Sequence, residues 1–273
     1  KEHGYTHQVL VRLKQTDHGI LRNGIWAYTN ERLCKDDLIT VQIVENECSD
    51  NISPVNLPLD IAYEDDDIIV INKPFDMPAH PSAGNHDNTL ANALMYYYGS
   101  QNKPFVYRCI NRLDRDTTGL TIVAKHALAG GILGNAVAKR AIHRTYYAVC
   151  SGCTPAYMRI SAPIARKDAS TIERCVDFKR GENAVTDFIR IKYNPDNNLS
   201  LVKLRLLTGR THQIRVHMKY IGFPLIGDFL YNPDYTYISR QALHSGRLVF
   251  THPVTGQKMN LISDIPSDMK SLF

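Results

Sequence analysis

The chain has 273 residues, 44% of them hydrophobic and 22% charged, which is the balance of a globular protein and excludes an intrinsically disordered one. It contains no run of about 18 apolar residues, so we expect no membrane-spanning helix. No secretory leader is visible in the sequence, and we expect the protein to work in the cytoplasm with its six cysteines reduced.

The formal net charge of +5 is unevenly distributed. Residues 1–50 carry six Lys/Arg and eight Asp/Glu, whereas the remainder carries 26 basic and 19 acidic side chains. Within that remainder lies a basic run without acidic residues, formed by Lys203, Arg205, Arg210, Arg215 and Lys219. Such a run is usually a solvated surface, but it is also what a protein that binds an anionic polymer needs.

The first 50 residues predict a small α/β module. Residues 8–14 have helical character, residues 20–27 centre on the turn-forming Arg22-Asn23-Gly24, and residues 37–44 alternate like a strand. Residues 45–58 are polar and contain two prolines. We therefore predict a module at 1–50, a linker at 51–60 and a larger domain at 61–273.

The larger domain mixes strands and helices. Strands are predicted at residues 68–73, 120–124, 145–150, 184–191 and 199–207. Helices are predicted at residues 90–98 and 127–140, the second weakened by three glycines. Pro74 stops the first strand, and Thr89 can cap the first of these helices, with Gly99 just past its end. The turn-rich residues 194–198 join the last two strands.

Carboxylates and arginines alternate in the segment Arg112-Leu113-Asp114-Arg115-Asp116. A nearby guanidinium favours the charged form of a carboxyl group, so these carboxylates are expected to stay ionised at neutral pH. Charged groups held in this way are candidates for chemistry on an anionic polymer.

A second motif joins the end of a strand to a helix. Thr208-Gly209 ends the strand at 199–207, and the helix is expected to begin at Thr211 and to end at Gly222. Arg215 then projects near the first turn, where free backbone amides and the helix dipole attract phosphate or carboxylate. By itself, a structural salt bridge explains Arg215 better. Together the two motifs suggest an enzyme that acts on RNA.

Three ordered blocks resemble the motifs of the RluA-type pseudouridine synthases. Arg112-Leu113-Asp114, with Thr117 and Gly119, is similar to the aspartate motif of that family. Arg144-Thr145-Tyr146-Tyr147-Ala148 is similar to its tyrosine motif. Residues 207–217 are similar to its arginine motif, which continues through Gly222, Pro224, Gly227, Asp228 and Tyr231. The resemblance covers about four fifths of the chain, from near Ile61 to the end.

This resemblance implies an α+β fold, in which helices and loops flank a mixed, mainly antiparallel central sheet, with the small N-terminal α/β module beside it. It also implies isomerisation of specific uridines to pseudouridine in structured ribosomal or transfer RNA. In that reaction the base is detached from the ribose, turned and rejoined through carbon. The motifs do not indicate which RNA is the substrate.

The resemblance assigns catalytic roles to three residues. Asp114 is the expected catalytic carboxylate, acting at the sugar as nucleophile or base. Arg215 is expected to pair with Asp114, to fix its orientation and to keep its pKa low. Tyr146 is expected to stack on the target base and to help remove the proton from the new carbon attachment point; without the resemblance, a half-buried strand tyrosine is an equally good interpretation.

Substrate contacts are implied for a second set of residues. The target uridine must be flipped out of the RNA, and Arg112 is expected to fill the vacated space; an isolated arginine would more often contact phosphate. The motifs also place Thr117, Arg210, His212 and Gln213 against the substrate.

One position departs visibly from the family pattern, and the N-terminal module matches it only in part. Asn111 stands where histidine is usual, whereas Thr118, where serine is more usual, keeps the hydroxyl. Residues 1–50 resemble the small RNA-binding domain that often precedes the catalytic domain, as an incomplete copy. Their net negative charge opposes strong RNA binding, because phosphate neutralisation supplies much of such affinity.

Two alternatives stay open at this point. A catalytically silent RNA-binding protein of the same fold would keep the basic residues, although Asp114, Tyr146 and Arg215 are all present. A glycoside hydrolase would use Asp114 and Asp116 as paired carboxylates, but its neutral substrate does not call for arginine-rich surroundings.

We expect neither cofactor nor metal. The sequence has no glycine-rich phosphate loop of the usual spacing and no HExxH motif. Its single CxxC, formed by Cys150 and Cys153, lacks the second pair or spaced histidines of a zinc site. RNA is the expected partner, no membrane or obligate protein partner is indicated, and a monomer is expected.

Overall fold

The computed structural model describes residues 5, 7–82, 84–168 and 172–273. The helices are α1 His7–Gln15, α2 Leu90–Gly99, α3 Ala127–Ala138, α4 Gln213–Tyr220 and α5 Ser267–Lys270. The first strands are β1 Ile20–Arg22, β2 Ile25–Trp26, β3 Ile39–Val41, β4 Ile61–Glu64, β5 Ile68–Lys73, β6 Arg108–Cys109, β7 Thr118–Ala124 and β8 His143–Ser151. They are followed by β9 Tyr157–Ser161, β10 Ile164–Arg166, β11 Arg174–Val176, β12 Val185–Asn194, β13 Leu199–Leu206, β14 Leu243–Thr251 and β15 Lys258–Ile262.

A 10-stranded sheet forms the centre of the molecule. Its main path runs β4-β5-β7-β14-β8-β13-β12-β9, with β15 beside β14 and β6 beside β7. Among the strand pairs of the described residues, β7 and β14 alone are parallel. The predicted α+β fold with a mainly antiparallel sheet is therefore confirmed. None of the helices in this described part is long and apolar enough to span a membrane.

Both faces of the sheet are covered, each over part of its area. On one face, Tyr146, Val202 and Leu204 pack with Ile214 and Met218 of α4. On the other face, a cluster that includes Val149 and Leu199 packs with Met269 and Leu272 around α5. Burying each large apolar side chain contributes about 1.5–3 kcal/mol, so α4 is held firmly against the sheet. This packing fixes the helix that carries Arg215.

The N-terminal elements form a sheet of their own, in the order β2-β1-β3. The predicted turn is present, with Asn23 and Gly24 at φ 52° and 81°, the left-handed pair of a two-residue hairpin. Val9 and Leu13 of α1 pack against Leu128 of α3. Within residues 37–44 only Ile39–Val41 is strand. The boundaries at 50 and 60 stay a prediction.

The predicted helices differ from the observed ones mainly at their ends. The helix expected from Thr211 begins at Gln213, because His212 adopts a left-handed φ of 56° that a helix cannot include. The helix expected to reach Arg140 ends at Ala138, and Arg140 itself has a φ of 59°. Strands β4, β6, β9, β10, β11, β14 and β15 were not predicted; most are short or edge strands, which carry weak periodic signals.

Three contacts anchor the loop between β6 and β7, which carries Asp114. Asn111, at the position where histidine is usual, accepts from Ile122 N–H through Oδ1 at 2.8 Å. Gln241 donates to the hydroxyl of Thr117 at 2.6 Å. Asn111 is thus engaged with the main chain of β7 and serves to hold the loop.

Lys73 supplies the third anchor from inside the protein. Its Nζ donates to the carbonyl oxygens of Pro74, Met77 and Arg115 at 2.7, 2.8 and 2.9 Å. Burial lowers the pKa of this ammonium group to about 7, against the opposing charges of Asp116 and Asp114. A single buried side chain thereby ties the end of β5 to the loop of Asp114.

Gly119 allows β7 to meet β14. It has a φ of 107°, and a Cβ at this position would collide with the backbone of Ser245. Only glycine tolerates both conditions, which gives this residue of the aspartate motif a structural reason. The parallel contact then continues through Thr118 and His244.

Stability should depend on pH through His244. Its Nε2 lies 3.3 Å from the acceptor Ser263 O, so we assign the proton to Nε2 and make Nδ1, at 2.9 Å, the acceptor of the Thr118 hydroxyl. Burial lowers its pKa from 6.5 to about 4. Between these values the unfolded chain binds more protons, so the free energy of unfolding falls as pH drops from 6.5 to 4, by an amount on the order of 3 kcal/mol. Urea denaturation at pH 7 and pH 4.5 measures the loss.

The variant His244→Gln isolates this contribution. It is expected to be less stable than the wild type at pH 7 and to lose less stability on acidification. A variant with the same pH dependence as the wild type would contradict the role given to His244.

Candidate active site

One cleft contains every site residue predicted from the sequence. Its lining includes Arg112, Asp114, Thr117, Tyr146, Arg210, His212, Gln213 and Arg215. They come from the β6–β7 loop, from β8 and from the segment that enters α4. Residues separated by about a hundred positions thus share one site, as the two sequence motifs suggested.

Arg215 joins two carboxylates at the floor of the cleft. Its Nη1 donates to Asp114 Oδ2 at 2.9 Å, which is the pairing expected from the sequence. Its Nε and Nη2 donate to the two oxygens of Asp228 at 2.7 and 2.8 Å. The Arg215 side chain is 2% exposed and that of Asp228 is fully buried. The guanidinium plane is therefore fixed from behind before it reaches Asp114.

The environment of Arg215 keeps it charged. Burial alone lowers the pKa of its guanidinium, but hydrogen bonds and charges from Asp228 and Asp114 outweigh that effect, and the pKa is raised. The rings of Tyr231 and Phe229 lie 5.0 and 5.3 Å from the guanidinium carbon, where the ring quadrupole attracts a cation.

Asp114 keeps one oxygen for a substrate. Its Oδ2 accepts from Arg215, whereas its Oδ1 has no hydrogen-bond donor among the described residues. Its side chain is 29% exposed, in contrast to the sealed Asp228. A carboxylate held through one oxygen and open through the other can act as a nucleophile or as a base.

His212 presents an N–H to the carboxylate. The Tyr231 hydroxyl accepts from Arg174 N–H at 2.9 Å and lies 3.0 Å from His212 Nδ1, so we assign it as the donor to that nitrogen. Nε2 then carries the proton and lies 3.9 Å from Asp114 Oδ2. Burial lowers the pKa of His212, with the charge of Asp114 opposing, so the ring is neutral at pH 7.

Two of the predicted substrate contacts are occupied by protein groups. Gln213 is 2% exposed, and its amide bonds to Thr208, Arg210, Val185 and Thr186. Thr117 is likewise 2% exposed and accepts from Gln241. Both side chains therefore shape the wall of the cleft.

Arg210 is held at the rim of the cleft. Its guanidinium pairs with Glu182 and donates to Asn183 O at 3.2 Å. Because its side chain is 39% exposed, it remains accessible to a ligand.

Two arginines of the cleft lack protein partners. In the part of the chain that the structure describes, neither the Arg112 side chain nor the Arg144 side chain forms a hydrogen bond or ion pair. Tyr146 is 4% exposed, packs in the core and turns toward the same cleft. Because Glu182 offsets Arg210, and Asp228 and Asp114 together outweigh Arg215, the excess positive charge of the cleft comes from Arg112 and Arg144, which are available to an RNA backbone.

The basic run of the sequence does not form a single surface. Lys203 and Arg205 line a shallow surface with Tyr157 and Arg247, away from the cleft. Their neighbours on β13, Val202 and Leu204, point to the opposite face of the sheet, toward α4. Alternation along β13 thus separates Lys203 and Arg205 from Arg210 and Arg215, which the linear sequence could not reveal.

Asp116 does not pair with Asp114 as a second carboxylate of the site. It forms an ion pair with Arg115, with 3.3 Å between Asp116 Oδ1 and Arg115 Nε, and it does not line the cleft. The glycoside hydrolase interpretation requires both carboxylates to flank one bond, so this geometry opposes it.

A cluster of Asp65, Asp67 and His252 has the residue types of a metal site, but the proton position on the His252 ring is unsuited to metal binding. His252 Nδ1 accepts from the N–H groups of Val254 and Thr255, so the proton of the neutral ring is on Nε2, which faces the carboxylates. A metal ligand must offer a lone pair there, and this ring offers an N–H.

The CxxC motif is likewise unsuited to a metal. Cys150 is fully buried in the core of the sheet, and Cys153 is exposed. The two thiols therefore lie in different environments.

Sequence reasoning missed Asp228 and Lys73 as determinants of the site. Asp228 belongs to the arginine motif, but nothing in its spacing shows that it faces Arg215. The usable signal in the sequence was Gly227 before it, because a glycine in a motif can mark a backbone that no other residue can adopt. In the structure Gly227 has a φ of 65°, and a Cβ there would collide with the carbonyl of Arg240. Lys73 interrupts an apolar strand next to Pro74, which marks a buried charge that needs partners.

Known proteins are similar to this chain in sequence and in architecture. A family model described as RNA pseudouridylate synthase matches residues 67–220. The chain belongs to the RNA pseudouridylate synthase family. It is an isomerase that converts uridine to pseudouridine in RNA, and the resemblance of its motifs is confirmed.

Individual relatives cover most of the chain. The uncharacterized RNA pseudouridine synthase YjbO of Bacillus subtilis (strain 168) is 38% identical over 274 residues, covering 100% of this chain and 95% of the relative. Ribosomal large subunit pseudouridine synthase D of Haemophilus influenzae is 41% identical over 245 residues, 85% of this chain and 75% of the relative. The solved structure of human RNA Pseudouridylate Synthase Domain Containing 1 matches with a TM-score of 0.64 at 26% identity, over 76% of this chain and 83% of that one.

Asp228→Asn should destabilise the protein severely. The substitution preserves shape but removes half of the charge that compensates the buried Arg215, and breaking a buried pair costs about 3–5 kcal/mol. The matched control is Asp187→Asn, which breaks a two-bond pair with Arg159, whose side chain is 55% exposed. The control should lose much less stability, because the arginine that it leaves unpaired stays solvated. Equal losses in urea denaturation would refute the structural role of Asp228.

Proposed function

We propose that Asp114 is the catalytic carboxylate of this pseudouridine synthase. The observation that carries the proposal is its divided environment: Arg215 holds Oδ2, and Oδ1 faces the cleft without a protein donor among the described residues. A carboxylate fixed in this way can attack or deprotonate a bound nucleotide without first reorganising.

The isomerisation breaks the glycosidic bond between the ribose and a ring nitrogen and forms a new bond from the ribose to a ring carbon. The carbon loses its proton and the freed nitrogen gains one, so the reaction is balanced without an oxidant or reductant. Asp114 acts at the sugar or at the base during cleavage and rejoining. His212 keeps a neutral N–H beside the carboxylate and helps to orient it.

Tyr146 and Arg112 complete the proposed mechanism. The Tyr146 ring stacks on the extruded base, and its hydroxyl, which has no hydrogen bond to a described residue, takes part in removal of the carbon-bound proton. Arg112 is exposed and unpaired within the described residues, so it can enter the space that the flipped uridine leaves. Arg144 and Arg210 bind phosphates at the rim, and Thr117 and Gln213 support the wall.

Ribosomal RNA is the proposed substrate, with transfer RNA as the alternative. Support comes from relatives of Haemophilus influenzae and Zymomonas mobilis named ribosomal large subunit pseudouridine synthase D, which are 41% and 38% identical to the chain. The proposal includes a cytoplasmic monomer that needs no cofactor, and the six free thiols fit a reducing compartment. Comparing the pseudouridines of cellular RNA with and without the gene tests the substrate.

Asp114→Asn should abolish product formation while RNA binding survives. Loss of the reactive group is expected to lower kcat by about 10⁴-fold or more. The control Asp116→Asn, which changes a neighbouring carboxylate outside the cleft, should remain active. The yield of pseudouridine and the binding of RNA are measured for each. An active Asp114→Asn protein would refute the assignment; a wild type that binds RNA without making product would favour the silent RNA-binding alternative.

Tyr146→Phe and Tyr146→Leu should separate the two roles of the tyrosine. Phenylalanine keeps the ring, so binding should be retained while kcat falls about 10²- to 10⁴-fold, the usual contribution of a proton-transfer group. Leucine should also weaken binding by about 1–3 kcal/mol through loss of stacking. Steady-state kinetics measure both effects, and a fully active Tyr146→Phe enzyme would rule out a role for the hydroxyl.

A further inference from the structure

The hairpin of β10 and β11 places two arginines directly opposite each other. Arg166 and Arg174 are cross-strand partners in antiparallel register. Like charges in this position destabilise a β ladder. A pairing that weakens the hairpin suggests that the two charges serve a ligand.

Neither arginine of the hairpin is neutralised by a carboxylate of the described residues. The Arg166 side chain has no hydrogen bond or ion pair there, and Arg174 Nη1 donates to the carbonyl oxygens of Ile172 and Glu173 at 3.1 and 3.2 Å. Their neighbour Arg180 differs, since it pairs with Asp168 and Asp177 at 2.7 and 2.8 Å. Uncompensated charge is therefore concentrated on the hairpin pair.

The hairpin arginines line a second cleft that adjoins the active site. Its lining includes Arg166, Arg174, Gly209, Arg210 and Thr211. Gly209 and Arg210 also line the active-site cleft. The two clefts thus share a wall, so a group bound in the second cleft lies next to a ligand of the active-site cleft.

Contacts that do not involve the two guanidinium groups fix the hairpin relative to the active site. Arg174 donates its backbone N–H to the Tyr231 hydroxyl, which bonds His212 beside Asp114. Val176 of β11 packs against the cluster that contains Val216 of α4. Because these links do not use the guanidinium groups, either arginine can be replaced without releasing the hairpin.

We infer that Arg166 and Arg174 together bind one backbone phosphate of the RNA substrate, next to the nucleotide whose uridine enters the active-site cleft. The inference rests on the proposed function and specifies where the substrate backbone leaves the cleft. Two guanidinium groups suit the geometry of a phosphate, which accepts several charge-assisted hydrogen bonds. A phosphate contact positions the substrate without reading its sequence.

Arg166→Ala and Arg174→Ala test the clamp. The substrate is ribosomal RNA purified from cells that lack the gene. With it, each variant should have a KM about tenfold higher and a kcat within about twofold of the wild type, because the contact is made equally before and during the reaction. In binding to a short fluorescein-labelled oligouridylate, the double variant Arg166→Ala/Arg174→Ala should reduce the slope of log K against log salt by about 0.7, the value for one single-strand phosphate, and each single variant by part of that amount. Arg166→Lys keeps the charge and should restore most of the salt slope.

The matched control is Arg159→Ala. It also removes one exposed positive charge, but from β9, where Arg159 pairs with Asp187 at 2.6 Å. The control should keep KM and the salt slope near the wild-type values. An unchanged KM and slope in both hairpin variants, or changes no larger than those of the control, would overturn the inference.

The two proposals can fail separately. If the wild type makes no pseudouridine in any RNA, the proposed function fails. The salt slopes of the hairpin variants, measured in an Asp114→Asn background, would still decide whether the hairpin binds phosphate.

Discussion

The guanidinium of Arg215 lies between two carboxylates that differ in exposure, and the geometry of the cleft depends on this arrangement. Asp228 holds the guanidinium through two hydrogen bonds from the buried side, and Asp114 receives a third at the cleft. A buried cation is costly unless its hydrogen bonds and charge are satisfied. Here the compensation comes largely from Asp228, so Asp114 can keep an oxygen free. The sequence suggested either a structural salt bridge or a contact at the site, and the Arg215 side chain makes both a buried salt bridge to Asp228 and a hydrogen bond to Asp114 in the cleft.

Half of the strands of the central sheet followed from periodicity, which is a local signal, and the eight predicted site residues, all of which line the cleft, followed from the resemblance of the motifs to a known family. The strand Ile68–Lys73 and the capped helix Leu90–Gly99 followed directly from apolar runs and their end signals. What the sequence could not provide were long-range partners. The contacts of Arg215 with Asp228 and of Lys73 with Arg115 O depend on how loops fold back. The start of α4 was misplaced because the left-handed backbone of His212 has no compositional mark.

The arginines near the site fall into groups according to their partners. Arg215 is buried between protein carboxylates, and Arg180 and Arg210 are paired at the surface. The side chains of Arg112 and Arg166 have no protein partner among the described residues. Equal formal charges therefore have different physical roles: the buried one organises the carboxylate, while the unpaired ones remain available to an anion. Counting basic residues, or grouping them by sequence run, would not separate these roles.

The parallel contact of β7 with β14 has a consequence for biosynthesis. The loop of Asp114 leads into β7, whose start needs Ser245 and His244 alongside it, and Gln241 holds Thr117. These partners lie more than a hundred residues later in the sequence, so the loop of Asp114 cannot settle before β14 has been synthesised. A nascent chain that lacks β14 has the aspartate but not the strand that orders its loop, so this side of the cleft forms late in synthesis.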